Sequence, residues 1–535
     1  MKTIAVIGAG ASGLPAIKCC LDEGLEPTCF ERTDDIGGLW NYTDQVRPDQ
    51  ACVMKSTVIN TSKEMMCYSD FPIPEEYPIY MHNTYVQKYF QLYAERFDLE
   101  KYIKFNNEVM HLGKHEEYET TGQWTLQVRD QKSNEVTSYV FDAVMVATGH
   151  HAQKKMPDFP GMDTFKGSIT HTHDFKSLED YKDKRVVAVG VGNSGGDVAV
   201  EVSRITAKLF LSTRRGTWVY NRIAKSGIPV DMLLTRQVNW IKTLLPESLI
   251  SHLVERQLNA RFDHAKYSLM PKHKVTAQHP TINDDLPNKI ANGSVIIKPN
   301  IKCFSETEVE FDNGTKEEVD AVILGTGYIF GFPFIDKSIF NVKDNQVDLY
   351  KYIFPPDLEK PTLSVIGCFQ PLGSVMPLSE MQARLATRVF KGDVQLPATA
   401  DQWTDIRKKR IAVRHRYVES TRHTIQVDYL PYMDELAELN GCCPNLAKML
   451  LHDPLLAMKC VFGPCTPYQF RLEGPGKWGG ARQAILTQWD RTWHPMKTRP
   501  LDIKQDGPHG LYFKLAVALV ILYILSVLYP LLTMT

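Results

Sequence analysis

Apolar residues in this 535-residue chain follow two rhythms. Short unbroken runs such as Ile4-Ala5-Val6-Ile7, Ala143-Val144-Met145-Val146, Val186-Val187-Ala188-Val189 and Ala321-Val322-Ile323-Leu324 read as strands buried on both faces. After two of them the apolar positions recur at helical spacing, at Ala16, Ile17 and Leu21 and at Val198, Ala199 and Val202. The alternation predicts an α/β fold with two Rossmann-like dinucleotide-binding domains. A different pattern closes the chain. Leu515 to Met534 carry no charge, and about 20 apolar residues are enough to cross a bilayer as a helix. Lys497, Arg499, Lys504 and Lys514 precede that segment, so the body is expected on the cytosolic side. An interfacial or buried apolar helix is the alternative, and either version brings the protein to a membrane.

Two of the strands run into the G-x-G-x-x-G spacing. One reads Gly8-Ala9-Gly10-Ala11-Ser12-Gly13, the other Gly190-Val191-Gly192-Asn193-Ser194-Gly195. The first glycine permits a tight turn, the second lets backbone approach a pyrophosphate, and the third allows close helix–strand packing. The helix start adds amide donors and a partial positive charge. Ser194, Gly195, Gly196 and Asp197 open the second helix and should meet a pyrophosphate or nearby ribose. The next strand tells the two cradles apart. Pro27-Thr28-Cys29-Phe30 ends at Glu31, followed by Arg32, and a carboxylate there accepts hydrogen bonds from an adenosine ribose. Leu209-Phe210-Leu211 ends in Ser212-Thr213-Arg214-Arg215-Gly216, where guanidinium groups suit a 2′-phosphate. The first cradle therefore suits FAD and the second NADPH.

The segments Asp142–Gly149 and Asp320–Tyr328 both close a buried strand on Thr-Gly, which places one nucleotide domain inside the other. The expected order is FAD-binding domain, first part (1–152), and NADPH-binding domain, first part (153–216). A helical insertion (217–294) and the closing NADPH part (295–330) follow. The second FAD part (331–445), a C-terminal region (446–512) and the membrane helix (513–535) complete the chain. The insertion reads either as a lid that shapes a substrate tunnel and touches the membrane, or as an ordinary helical subdomain.

Composition narrows the partners. A net charge of −1 argues against nucleic acid, which leaves a basic excess or stripe. Eleven scattered cysteines, an odd number, fit a reducing compartment better than a disulfide framework. Cys460 and Cys465 have the C-x4-C spacing of a flavin disulfide reductase but lie far from the first cradle, and read as structural. No metal-ligand set is read, and no secretory signal precedes the first strand. Oligomeric state is not legible, and a homo-oligomer is compatible with everything above.

Longer stretches carry a resemblance. Phe165-Lys166-Gly167-Ser168-Ile169-Thr170-His171-Thr172-His173-Asp174-Phe175 fits the pattern F-x-G-x-x-x-H-x-x-x-[YF] just before the second cradle. With Glu31–Trp40, Asn60–Met66, Gly463–Tyr468 and Gly474–Trp478, it makes the chain resemble the vertebrate flavin-containing monooxygenases over essentially its whole length. Gly325 departs from the alanine more usual there. Gln278–Pro287 and Arg422-His423-Thr424-Ile425-Gln426 resemble the members associated with Baeyer–Villiger oxidation.

The resemblance implies a cofactor-borne chemistry. NADPH reduces FAD, the reduced flavin takes up dioxygen as a C4a-(hydro)peroxyflavin, and bound NADP⁺ shields it. One oxygen then passes to an amine nitrogen or a sulfur, or to a ketone to give an ester, in small lipophilic compounds. It further implies an endoplasmic-reticulum membrane location with the catalytic body facing the cytosol. Asn60 is the expected catalytic side chain. Its amide can donate to the oxygenated flavin and accept from the NADP⁺ amide or ribose. Thr61, Gly38, Leu39 and Trp40 should lie against FAD. His171 either serves the site or fixes the chain entering the NADPH domain, and His279 lines the substrate route or lies on the surface. The competing readings are an NADPH oxidase or pyridine-nucleotide reductase without oxygen transfer, and a binding protein that retains the fold.

Overall fold

Ten parallel strands build two sheets. The first four are β1 (Thr3–Ile7), β2 (Glu26–Glu31), β3 (Ile103–Phe105) and β4 (Ala143–Val146). Five follow: β5 (Ser168–His171), β6 (Arg185–Val189), β7 (Lys208–Ser212), β8 (Ile296–Lys298) and β9 (Ala321–Leu324). β10 (Leu363–Val365) comes after all of these and returns to the first sheet. This is the computed structural model of the protein, and it describes residues 1–47 and 50–499.

The first sheet has the order β10-β4-β1-β2-β3, and the second, read in the same sense, β5-β9-β6-β7-β8. Every pairing in both is parallel. In each sheet the strand that feeds a glycine turn is central, flanked by the next strand on one side and the Thr-Gly strand on the other. Each also carries a three-stranded antiparallel meander between its third strand and its Thr-Gly strand, at residues 107–141 and 301–318. The units differ in their outermost strand. The first borrows β10 from chain that has already passed through the second unit, while the second uses β5, which precedes its own cradle.

The apolar runs behave as their pattern demands. β1 and β6 bury every residue but the first, and β4 and β9 bury all four. Helix α1 (Gly13–Asp22) covers the first sheet and α2 (Asn193–Val202) the second. One apolar core gathers around β1, β2, β4 and β10. The second sheet has a separate core on each face, one with Val186, Leu209 and Ile323 and one with Val187, Phe210 and Val322.

Between β7 and β8 lie α3 (Arg236–Leu244) and α4 (Glu247–Arg261), with a two-residue ladder joining Val219–Tyr220 to Thr281–Ile282. After β10 the short strand β11 (Gln370–Leu372), helices α5 (Met376–Lys391) and α6 (Thr399–Arg416), strand β12 (Gln426–Asp428) and helix α7 (Tyr429–Asn440) complete the first unit. Then come α8 (Leu446–His452), α9 (Pro454–Phe462) and α10 (Ala481–Trp493). Arg471 locks this terminal region onto the first unit, pairing with buried Glu380 at 2.6 Å and Asp70 at 3.0 Å. Among the described residues no helix is long and apolar enough to cross a membrane. The helix expected at 513–535 lies outside them.

Candidate functional site

The two glycine turns are built alike. Gly8 has φ +98° and donates its N–H to Phe30 O at 2.9 Å; Gly190 has φ +96° and donates to Ser212 O at 2.9 Å. A Cβ at Gly8 would stand 2.8 Å from Ala147 O, and one at Gly190 would stand 2.6 Å from Gly325 O. The third glycines, Gly13 and Gly195, rest directly on the carbonyls of Gly8 and Gly190, where any side chain would overlap. Neither α1 nor α2 has a side-chain cap at its start. Among the described residues the amides of Asn193, Ser194 and Gly195 at the start of α2 are left for an anion. At α1, Gly13 N and Leu14 N bond Gly10 O at 3.0 and 3.1 Å, and the amides left are those of Ala11 and Ser12 in the turn before the helix.

The cradles part company at the middle glycine and at the acid position. Gly10 faces Gly38 so closely that a Cβ on either would come within 3.4 Å of the other's Cα. Gly37 donates to Ala9 O at 3.0 Å, so the turn Gly38–Trp40 docks on the first cradle, and half-buried Trp40 packs on the first core. Leu39 is held by Val53 N at 3.0 Å. Buried Glu31 does more than wait for a ribose. One carboxylate oxygen accepts from Ala9 N at 2.7 Å, and the other from Thr33 N and Oγ1 at 2.9 and 2.8 Å. The acid therefore shapes the turn, with lone pairs left for a ligand. Arg32 is half-buried beside it. Behind the turn, Tyr68 OH donates to Ala11 O at 2.8 Å and Ser12 Oγ bonds Ser379 Oγ at 3.0 Å.

In the second unit Ser212 turns its hydroxyl to Pro299 O, leaving no acid at the strand end. Arg214 and Arg215 are exposed and form no ion pair among the described residues; Arg215 reaches only Glu419 O, at 3.4 Å. Side chains at the helix start are engaged by the insertion. Asn193 Oδ1 accepts from Ile282 N at 2.8 Å, Asp197 Oδ1 accepts from Asn283 Nδ2 at 2.9 Å, and Thr281 Oγ1 donates to Val191 O at 2.6 Å. Burial pushes the Asp197 carboxyl up to about 6, although the Arg222 charge and the Asn283 bond oppose it. Ser194 is exposed at the mouth of this turn.

Asn60 sits on a loop pinned from three sides. Ser62 N and Oγ both donate to Asp231 Oδ2, at 2.6 and 2.9 Å, and Lys63 Nζ reaches the carbonyls of Glu75 and Tyr77. Buried Glu64 pairs with Arg491 at 2.6 Å and accepts from Tyr468 OH at 3.0 Å. Between these anchors, Asn60 Oδ1 accepts from Arg222 Nη2 at 2.7 Å. A guanidinium has only donors, so it fixes the amide with oxygen inward and NH₂ free to donate. One lone pair expected for the second cofactor is thus already used. Arg222 is itself held by Asp284 at 2.7 Å. No motif announced Arg222; its partners lie more than 60 residues away on either side. Thr61 follows Asn60, half-buried.

The remaining signals resolve into packing. His171 ends β5 on a sheet edge, with Nε2 against Gly327 O at 3.1 Å and Nδ1 accepting from His173 N at 3.1 Å. Burial lowers it to about 4, so it is neutral and ties down the chain. His279 is half-buried between Gln426 and His423. Cys460 and Cys465 are buried free thiols pushed up to about 12 by burial, and all eleven cysteines are unpaired.

Two glycine cradles on two parallel sheets, one unit inside the other, define an α/β flavoprotein of the two-dinucleotide type. The comparisons specify it further. The flavin-binding monooxygenase-like family model matches residues 1–530, and the chain belongs to that family. It is similar to flavin-containing monooxygenase 5 of Mus musculus, 50% identical over 95% of each chain. It is likewise similar to that of Homo sapiens, 50% identical over 94% of each. Dimethylaniline monooxygenase [N-oxide-forming] 2 of Cavia porcellus is 48% identical over 93% of this chain and 94% of its own. Among solved structures, S-allyl-L-cysteine S-oxygenase from Allium sativum shares the fold with a TM-score of 0.64 at 23% identity, covering 92% of this chain and 98% of its own. A closed cyclohexanone monooxygenase gives 0.59 at 17%, covering 82% and 98%. The protein is a flavin-dependent monooxygenase that uses FAD, NADPH and O₂.

Proposed function

We propose that the protein inserts one atom of dioxygen into small lipophilic compounds, at amine nitrogen or sulfur or beside a ketone carbonyl, with FAD in the first cradle and NADPH in the second. The observation that carries the division is the end of the second strand in each unit. One has a buried carboxylate bonded to Ala9 N; the other has a serine and, two and three residues on, exposed arginines with no ion pair among the described residues. A ribose diol needs an acceptor, and a 2′-phosphate needs cations. When bound, the flavin supplies the hydride acceptor and the site of oxygen activation.

The residues of this chain hold and shield. Gly8 to Gly13, Glu31 and the Gly38–Trp40 turn receive the adenosine and diphosphate of FAD. Gly190 to Gly196, with Arg214 and Arg215, receive NADPH. Asn60 offers an NH₂ donor toward the reacting oxygen, oriented by Arg222, and brings no titratable proton.

A membrane setting fits one surface. Trp240, Ile241 and Leu244 of α3 and Leu450, Leu451 and Leu455 of α8 and α9 are exposed. Helices α3 and α9 pack together, which brings these exposed apolar side chains onto neighbouring elements, as a membrane-contacting surface requires. With the apolar segment at 513–535, this face supports attachment to the endoplasmic reticulum with the catalytic body in the cytosol.

The test is oxygen transfer itself. Purified holoenzyme given NADPH, ¹⁸O₂ and either a thioether or a ketone should yield sulfoxide or ester carrying one labelled atom per NADPH oxidised. Asn60→Ser should keep NADPH oxidation and shift the yield to hydrogen peroxide. NADPH oxidation with unlabelled substrate recovered intact, for both probes, would make the protein an oxidase and sink the reading.

A further inference from the structure

Above the second cradle lies a cation that the dinucleotide fingerprint does not include. A Cβ at Gly192 would begin 3.3 Å from Arg422 Nη1 and 3.5 Å from Arg422 Cζ. The guanidinium therefore lies directly over the glycine whose bareness lets a pyrophosphate approach. Its side chain has no hydrogen bond or ion pair among the described residues. Desolvation pulls it below the ordinary guanidinium pKa.

The neighbours sharpen this. Arg422 belongs to the loop between α6 and β12, which is part of the first unit, since β12 pairs with β11. That loop is fastened by Asn345 Nδ2 to Thr421 O at 3.1 Å and by Lys155 Nζ to Thr421 Oγ1 at 2.7 Å. Arg215 reaches the same loop at Glu419 O. Lys155 and Arg215 thus both reach the loop that carries Arg422, and among the described residues no carboxylate is paired to any of the three. Buried charges are retained where they meet an opposite charge.

We infer that Arg422 is a further dinucleotide-binding residue, which clasps the diphosphate bridge of the nicotinamide cofactor from the side opposite the start of α2 and so ties that cofactor to the FAD-bearing unit. The inference rests on the assignment of NADPH to the second cradle. It separates two duties: Arg215 reads the 2′-phosphate, whereas Arg422 reads the diphosphate common to NADP⁺ and NAD⁺.

The experiment is calorimetric titration of NADP⁺ and of NAD⁺ into oxidised, FAD-loaded wild type, Arg422→Gln and Arg422→Lys. A lost charge-assisted fork should weaken both ligands about 10- to 100-fold in Arg422→Gln, with the NADP⁺/NAD⁺ ratio unchanged. Arg422→Lys should recover part of the loss. Flavin content and thermal midpoint should match wild type, since the side chain forms no hydrogen bond or ion pair among the described residues. Unchanged affinity in Arg422→Gln overturns the inference, as does weakening confined to NADP⁺ or a variant that loses its flavin. Wild type that binds neither nucleotide would overturn the cradle assignment beneath it.

Discussion

The two cradles share a backbone and differ in what completes them. The first is finished mainly by residues near it in the chain: Glu31 and Thr33 brace the turn and Gly37–Gly38 dock on it from the next loop, with Tyr68 and the distant Ser379 behind it. The second is finished by remote chain, with Thr281, Ile282 and Asn283 of the insertion bonded to its turn and helix, and Arg422 of the first unit over its middle glycine. A site braced mainly by its neighbours in the chain is less sensitive to movement elsewhere in the molecule. One assembled from three regions changes affinity whenever those regions shift, which suits a cofactor that exchanges in each turnover.

The largest effect expected from breaking this comparison comes from the third glycines. Gly13→Ala drives a methyl into Gly8 O, a strain of about 1–3 kcal/mol or more. The product should be colourless and lower in Tm. Gly195→Ala should keep its yellow flavin, reducible by dithionite but not by NADPH. Loss of flavin from both variants would show that the cradles are not separable.

Acid should strike the seam between the units. Burial lowers His150 and His423 to about 4 and His279 to about 3, so each is neutral when folded and takes up a proton near 6.5 when unfolded. Their contribution is complete above about pH 6.5 and is lost as pH falls toward 4, on the order of 1 kcal/mol each by pH 5. Followed from pH 7.5 to 5, the thermal midpoint should fall and flavin release should rise in step with it. A flat profile would place these histidines outside the cooperative core.

The acid and arginine positions come next. Glu31→Gln puts an NH₂ opposite Ala9 N or the Thr33 donors, at about 1–3 kcal/mol, and should raise the flavin dissociation constant while leaving the KM for NADPH alone. Arg215→Ala should do the reverse, raising the KM for NADPH about tenfold with little change for NADH. If NADH suffers equally, Arg215 does not read the 2′-phosphate.

The smallest effect is at Gly325, the counterpart of Ala147. A Cβ there would lie 3.0 Å from Gly195 Cα, so the missing methyl lets α2 sit closer to the Thr-Gly strand. Gly325→Ala should lower Tm by only a few degrees, at about 1 kcal/mol, and slightly weaken NADP⁺. An unchanged or raised Tm would mean that α2 can shift to accommodate the methyl.

Much of this was legible in the chain. Unbroken apolar runs ending in G-x-G-x-x-G gave the central strands β1 and β6, and the Thr-Gly endings gave β4 and β9. Glu31, Arg214 and Arg215 lie within about 25 residues of their glycines, close enough for spacing to reveal them. The family marker around His171 was also visible, but its role was not. Gly167 is bare because Phe165 and Asp320 O crowd it, and His171 is a tether. Arg222 escaped notice because a single arginine in a polar stretch carries no pattern. Asp197 and Asn193 were expected at the ligand, yet their side chains brace the insertion as well.

By itself, then, the sequence determined the two βαβ units, their cradles and the opposite charges at their strand ends, because each of these is written in residues that are neighbours along the chain. Only the tertiary structure decided that Arg222 orients Asn60, that β10 returns to finish the first sheet, and that Arg422 stands over Gly192. Those partners are separated by 162, more than 200 and 230 residues. Hydrogen bonds and burial between such distant segments leave no periodicity, and they exist only once the two units have packed.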